Sequence, residues 1–184
     1  MKKIIVGITG GSGTILAVRL LENLKNCEVH LVMSESSKKV MELETDYSMN
    51  YIKSLSSYFY DDGNIAATVS SGSFIFDSLV IIPCSTSSMA KLAAGIADTL
   101  ITRVGLVAMK ERRKMIIVPR EMPLSTIMIE NMLKLSQNNV IVAPAVPGYY
   151  NRPKSIDDMV NFVVSRVLDL AGVENKLSKR WEHV

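Results

Sequence analysis

Short apolar runs alternate along the chain with longer stretches in which apolar positions recur every three or four residues. The Ile/Val-rich runs at 3–8, 28–33, 78–82, 114–118 and 140–143 predict strands. They are continuous rather than alternating, as in parallel strands covered by helices on both faces. The stretches at 13–25, 35–44, 87–94, 102–110, 124–136 and 156–170 have the period of amphipathic helices. This alternation predicts an α/β fold, a three-layer doubly wound Rossmann- or flavodoxin-like sandwich with a mostly parallel sheet. Residues 46–73 break the rhythm, with Tyr47, Tyr51, Tyr58 and Tyr60 before a Gly/Ser-rich close, and read as an inserted loop region and candidate lid. No repeat or linker divides the 184 residues, so residues 1–184 are expected to form a single domain.

In such sheets ligands bind beyond the carboxyl ends of the strands. Here one strand end after another carries small, polar or turn-forming residues. They are Gly10-Gly11-Ser12-Gly13, Ser34-Glu35-Ser36, Pro83-Cys84-Ser85-Thr86-Ser87-Ser88, Pro119-Arg120-Glu121 and Pro144 onward to Tyr149-Tyr150. Five strand ends place these groups along one edge, which is the expected site.

Composition narrows the chemistry. At 48% apolar and 21% charged, the chain is a globular protein rather than a disordered one. No apolar run approaches the roughly 20 residues of a membrane span, and the run opening at Ile4 stops at Gly10-Gly11, too soon for a signal sequence. A net charge of +3 with 6% aromatics gives no case for nucleic acid. Cys27 and Cys84 are too few for a disulfide framework, which favours a reducing, cytoplasmic compartment. With only His30 and His183 present, histidine-based mechanisms have little to draw on.

The glycines at 10, 11 and 13 let backbone approach a ligand where a helix start favours an anion, but the pattern is neither G-x-G-x-x-G nor a P-loop. An ordinary tight turn is the competing account. Ser85, Thr86, Ser87 and Ser88 offer four hydroxyls where capping needs one. Cys84 beside them has no nearby histidine in sequence and reads as a packing residue. Arg103 and Lys110 stand seven residues apart on one helix, hence on one face, and Arg112, Arg113 and Lys114 read as a solvated basic helix end. Arg120, at a strand end, has the planar fork that suits phosphate, and Glu121 beside it can move a proton; a mutual or surface ion pair is the alternative. Arg166 interrupts the stripe Met159, Val163, Leu170, so it needs a counter-ion: a ligand, or Asp169 three residues on.

Taken together, these segments resemble the flavin prenyltransferase (UbiX-like) family. The stretches that carry the resemblance run in family order over nearly the whole chain. They include the Gly7-to-Gly13 turn, Glu44-Thr45-Asp46, Ser71-Gly72-Ser73, Pro83-Cys84-Ser85-Thr86, Lys110-Glu111-Arg112-Arg113 and Pro119-Arg120-Glu121-Met122-Pro123-Leu124. They continue through Glu130-Asn131-Met132, Pro147-Gly148-Tyr149-Tyr150-Asn151-Arg152-Pro153 and Arg180-Trp181. The resemblance implies that Gly10, Gly11, Ser12, Ser34, Ser85, Thr86, Ser87, Ser88, Arg103 and Arg120 hold FMN, which enters reduced, as a co-substrate. Ser71, Lys110, Arg120, Tyr150 and Arg166 would surround the phosphate of dimethylallyl phosphate, with Lys110 and Glu121 as the catalytic pair and Glu121 in proton transfer.

The implied reaction is metal-independent. Phosphate leaves the allyl group into the basic cluster, and flavin N5 and C6 are bonded in turn, giving prenylated FMN for a UbiD-type decarboxylase. Fixed cations and excluded water are what such chemistry needs. Gly11 stands where alanine is common, and Ile65 about where some members carry a tryptophan, which bears on π-stabilisation of the allyl cation. The family also implies a homo-oligomer with sites between subunits, in keeping with the 11 methionines, and the 177–181 segment is a candidate contact. Two rival readings are an FMN-dependent cysteine-type decarboxylase, which requires a histidine near the flavin, and a non-catalytic flavin carrier, which requires no second anion site.

Overall fold

The computed structural model describes residues 1–180; Trp181 and His183 lie outside them. Six strands form one sheet: β1 (Lys2–Ile8), β2 (Cys27–Met33), β3 (Tyr58–Asp61), β4 (Ser78–Cys84), β5 (Lys114–Pro119) and β6 (Val140–Val142). Their order is β3-β2-β1-β4-β5-β6, and every neighbouring pair is parallel. The helices are α1 (Thr14–Glu22), α2 (Glu35–Glu44), α3 (Met49–Ser54), α4 (Thr86–Ala94), α5 (Leu100–Lys110), α6 (Thr126–Gln137) and α7 (Ile156–Ala171).

The strand pleat divides the interior in two. From β1, Ile4, Val6 and Ile8 enter one core with Leu20 of α1 and Val164 and Leu168 of α7, while Ile5 enters the other with Met89 of α4 and Leu100 and Val104 of α5. All seven residues of β4 are buried, which accounts for its unbroken apolar run. The sheet order reverses direction between β1 and β4, since the chain winds outward one way from β1 and the other way from β4. The crevice beyond those two carboxyl ends is where open α/β sheets take ligands.

Residues 46–73 are not an inserted loop. They hold α3, the edge strand β3 and a 3-10 turn at Thr68–Ser70. Ile52 and Val69 are fully buried, and the Leu100 and Ile101 amides donate to the Asp62 carbonyl and carboxylate at 2.7 Å each, so the segment belongs to the body of the fold and is no lid. β3 spans four residues with Tyr58 half exposed, too short for a periodic signal.

Candidate functional site

The turns after β1 and β4 are stitched together at the point where the sheet order reverses. The Thr9 hydroxyl donates to the Pro83 carbonyl (2.8 Å) and accepts from the Ser85 amide (2.6 Å), and the Thr9 amide donates to the same carbonyl. Thr9 is 2% exposed, so these bonds are shielded from water and fix one turn against the other. Gly10 and Gly11 line the gap. A Cβ on Gly10 would lie 2.5 Å from Ser36 Oγ, and one on Gly11 3.4 Å from Pro83 Cβ. Gly13 has φ 108°, a backbone conformation that suits glycine.

Capping accounts for part of the hydroxyl wealth at this edge. Ser34 accepts from the Ser37 amide at the start of α2, and Ser85 accepts from the Ser88 amide at the start of α4. Ser12 and Thr86 are half-buried and Ser87 is exposed, and the first turn of α4 begins at this edge with leading amides that have no intrahelical partner. Hydroxyls and helix amides beside one arginine fit the phosphate and polyol of a nucleotide such as FMN.

One residue of this site stands in the sequence only as part of the Glu44-Thr45-Asp46 stretch, with no role assigned to it. The Glu44 carboxylate, the last residue of α2, accepts from the Gly13 amide (2.9 Å) and the Thr14 amide (3.1 Å), and takes the Ser12 hydroxyl as a further partner. It therefore occupies the amino terminus of α1 as a resident anion. The first turn of α4 carries no acidic residue. Partial burial pulls the Glu44 carboxyl upward, but the Ser12 hydroxyl, the two amides and the charge of Arg120 outweigh it and hold the group below its ordinary range. A carboxylate bonded to a hydroxyl at the ligand edge can relay a proton.

Arg120 and Glu121 follow β5 directly and are both exposed at this edge. Among the described residues they form no ion pair with each other; Glu121 accepts from the Met122 amide at 3.0 Å. Arg103 lies in the first turns of α5 and is exposed.

Lys110 and Ser71 lie at the other edge of the sheet. Lys110 ends α5, and its ammonium lies 2.9 Å from where a Cβ on Gly72 would be, with Glu111 at 2.7 Å from that ammonium. Arg113 donates to the carbonyls of Phe74 and Gly72, and Lys3 at the start of β1 sits over the Phe74 ring. Seven-residue strands separate the two edges by roughly 20 Å. One copy of the chain thus does not bring Lys110 and Ser71 to its own Arg120 and Glu121.

Arg166 is not turned toward the core. It is exposed and pairs with Asp169 at 3.2 Å, and Arg180 pairs with the same carboxylate at 2.9 Å. Its stripe contains Met159 and Leu170, which are only half-buried, so the apolar period did not mark a buried position. Arg166 lines a cavity of about 300 Å³ together with Tyr150, whose ring meets Phe162 edge-on at 5.6 Å between centroids.

Cys84 is buried among apolar side chains, and burial pushes its thiol up to about 12, as suits a packing residue. His30 is 3% exposed in mid-strand, stacked on Tyr58 and bonded to Tyr60 and Glu28, away from the carboxyl edge. Among the described residues, no group of three His, Cys, Asp or Glu side chains is placed to hold a metal ion, and no helix is long and apolar enough to cross a membrane.

Comparison with known proteins bears directly on this arrangement. The Flavoprotein family model matches residues 1–168. A relative from Thermoplasma acidophilum named flavin prenyltransferase UbiX is 60% identical over 179 residues, covering 97% of this chain and 99% of the relative. Among solved structures, AnUbiX in complex with FMN and dimethylallyl pyrophosphate superposes with a TM-score of 0.97 at 37% identity, covering 100% of this chain and 98% of that one. A dodecameric FMN-dependent UbiX-like decarboxylase from Escherichia coli gives a TM-score of 0.96 at 47% identity, covering 98% and 100%.

Proposed function

The chain belongs to the flavin prenyltransferase family, and from that premise we propose that it joins the dimethylallyl group of dimethylallyl phosphate to N5 and C6 of reduced FMN, giving prenylated FMN. The observation that carries this reading is the Thr9 stitch, which holds the Gly10–Ser12 and Ser85–Ser88 turns as one cradle where the sheet order reverses. Gly10, Gly11, Ser12, Ser34, Ser85, Thr86, Ser87, Ser88, Arg103 and Arg120 hold FMN there, its phosphate at the amino terminus of α4. Reduced FMN, when bound, supplies the nucleophilic N5 and C6.

The remaining work falls to charge. Ser71, Lys110, Arg120, Tyr150 and Arg166 surround the donor phosphate and stabilise the negative charge that develops on it as the allylic C–O bond breaks. Glu121 would pass to the departing phosphate the proton that N5 gives up, and closure at C6 would consume the prenyl double bond, which gains a proton while the Ser12–Glu44 pair takes the one that C6 loses. Since Lys110 and Ser71 stand at the opposite sheet edge, the site is completed by another copy of the chain. The outer face of α6 supports such an assembly, with Ile127, Ile129 and Leu133 each more than half exposed beside Met122 at 88%. The product serves a UbiD-type decarboxylase, in the cytoplasm, where the free thiols of Cys27 and Cys84 persist.

A cysteine-type decarboxylase gains no support from His30, which is buried in mid-strand. A mere flavin carrier needs no second anion site and so leaves Lys110 and Arg166 without a purpose; if Arg166→Ala keeps FMN and loses turnover, that reading fails. The direct test is anaerobic incubation with reduced FMN and dimethylallyl phosphate, then the mass of the extracted flavin. A gain of one C5 unit with phosphate released is expected; bound but unmodified FMN counts against transfer from this donor.

A further inference from the structure

A second cavity adjoins the one that Tyr150 and Arg166 line. It measures about 250 Å³ and lies between the 148–154 loop, the start of α7 and residues 177–179. The two cavities share Phe162, Ser178 and Lys179 in their walls, so a ligand group in one is next to a group in the other. Asn151 fixes the loop to the tail, donating to Ser178 Oγ at 3.0 Å and to the Lys179 carbonyl at 3.1 Å.

Their charges are disposed differently. In the first cavity Arg166 and Arg180 are both engaged by Asp169, whose carboxyl Arg180 above all holds below the usual carboxylate range. The second is lined by Arg152, Lys154 and Lys179 against one carboxylate, Asp158. That carboxylate is tied by one oxygen into the cap of α7, accepting from the Lys154 amide (2.8 Å) and the Ser155 amide (3.1 Å), and it also feels the Lys154 charge. Among the described residues no acidic side chain lies within ion-pair distance of Arg152, Lys154 or Lys179, and only Lys154 acts on Asp158 from farther off. Three unpaired cations around a cavity next to a phosphate site are suited to a second phosphate, which an arginine fork and two ammonium groups can share.

We propose that this second cavity is a phosphate subsite that takes the distal phosphate of a diphosphate prenyl donor while Tyr150 and Arg166 hold the proximal one. The inference rests on the prenyl-transfer reading for its donor, though not for its anion. The cations are exposed, so their effect is moderate and weakens with salt.

The test compares inorganic pyrophosphate with orthophosphate, titrated calorimetrically into the FMN-loaded protein and into a Lys154→Ala/Lys179→Ala variant. Both lysines are exposed, and an unchanged Tm verifies that the variant folds. The expected result is a pyrophosphate Kd raised about tenfold with orthophosphate Kd within about twofold. In parallel, KM should rise for dimethylallyl diphosphate and stay level for the monophosphate. Equal weakening of both anions, or no change for pyrophosphate, overturns the subsite. The binding arm needs no turnover, so an enzyme that leaves FMN unmodified yet discriminates the two anions refutes the transfer reading alone.

Discussion

Beyond the carboxyl ends of β1 and β4 the chain presents glycines, hydroxyls and helix-terminal amides, whereas before their amino ends it presents Lys110, Arg112, Arg113 and the hydroxyls of Ser71 and Ser73. The first region is built to fit. Buried Thr9 bonds lock its turns, and Gly10 leaves no room for a side chain. The second is built to be reached, with Lys110 and Arg112 in solvent, Glu111 close to Lys110, and the half-buried Arg113 tied to the Gly72 and Phe74 carbonyls. On the proposed reading, shape at one edge serves flavin binding and charge at the other serves departure of phosphate, and one copy of the chain does not bring the two together.

The division can be broken from either side. Replacing Lys110 by alanine is expected to lower turnover by about 10³-fold, since it removes a fixed cation from a developing anion. FMN affinity should stay within about twofold; a large loss of flavin in equilibrium dialysis would put Lys110 at the flavin instead. Gly10→Ala attacks the other region. With a Cβ 2.5 Å from Ser36 Oγ, the turn or α2 must shift, and FMN Kd is expected to rise about tenfold, by ~1.4 kcal/mol, in a fluorescence titration.

The smallest effect expected is a pH dependence at Glu44. Its folded-state carboxyl titrates below the ordinary value of 4.5, so the stability it contributes is complete above that value and is lost as pH falls through the folded one. Urea midpoints of wild type and Glu44→Gln should therefore differ near neutrality and converge as pH drops below about 4.5. A constant gap across that range would show that charge is not what ties Glu44 to the α1 amides.

Much of this was legible in the chain itself. The Ile/Val runs were buried strands, and each predicted strand end fell on one edge, because βα alternation leaves no other arrangement. β3 and α3 were not legible: four and six residues are too few to establish a period. Glu44 was legible as part of a family stretch, but the signal of its role went unused. A carboxylate closing a helix opposes the dipole there, and α2 ends in Glu42 and Glu44 with no basic residue in its last turn, which marks a charge required elsewhere. For Arg166 the Asp169 pair was one of the two partners the sequence offered, but its turn toward the core was not observed, because a helical stripe fixes a face without saying whether that face meets the core or solvent. Lys110 was placed on the correct helix, but its distance from Arg120 depends on which edge α5 ends at, and that is a matter of topology rather than spacing.

The most direct test of the two-edge account is complementation between inactive variants. Lys110→Ala and Arg120→Ala are each expected to be nearly inert, one lacking the charge edge and the other the cradle edge. Co-expressed so that mixed assemblies form, they should recover a measurable fraction of wild-type prenylation, because some sites then combine an intact Lys110 from one copy with an intact Arg120 from another. Mixed assemblies that form and remain as inert as either parent would contradict the account and place both residues in the service of a single chain.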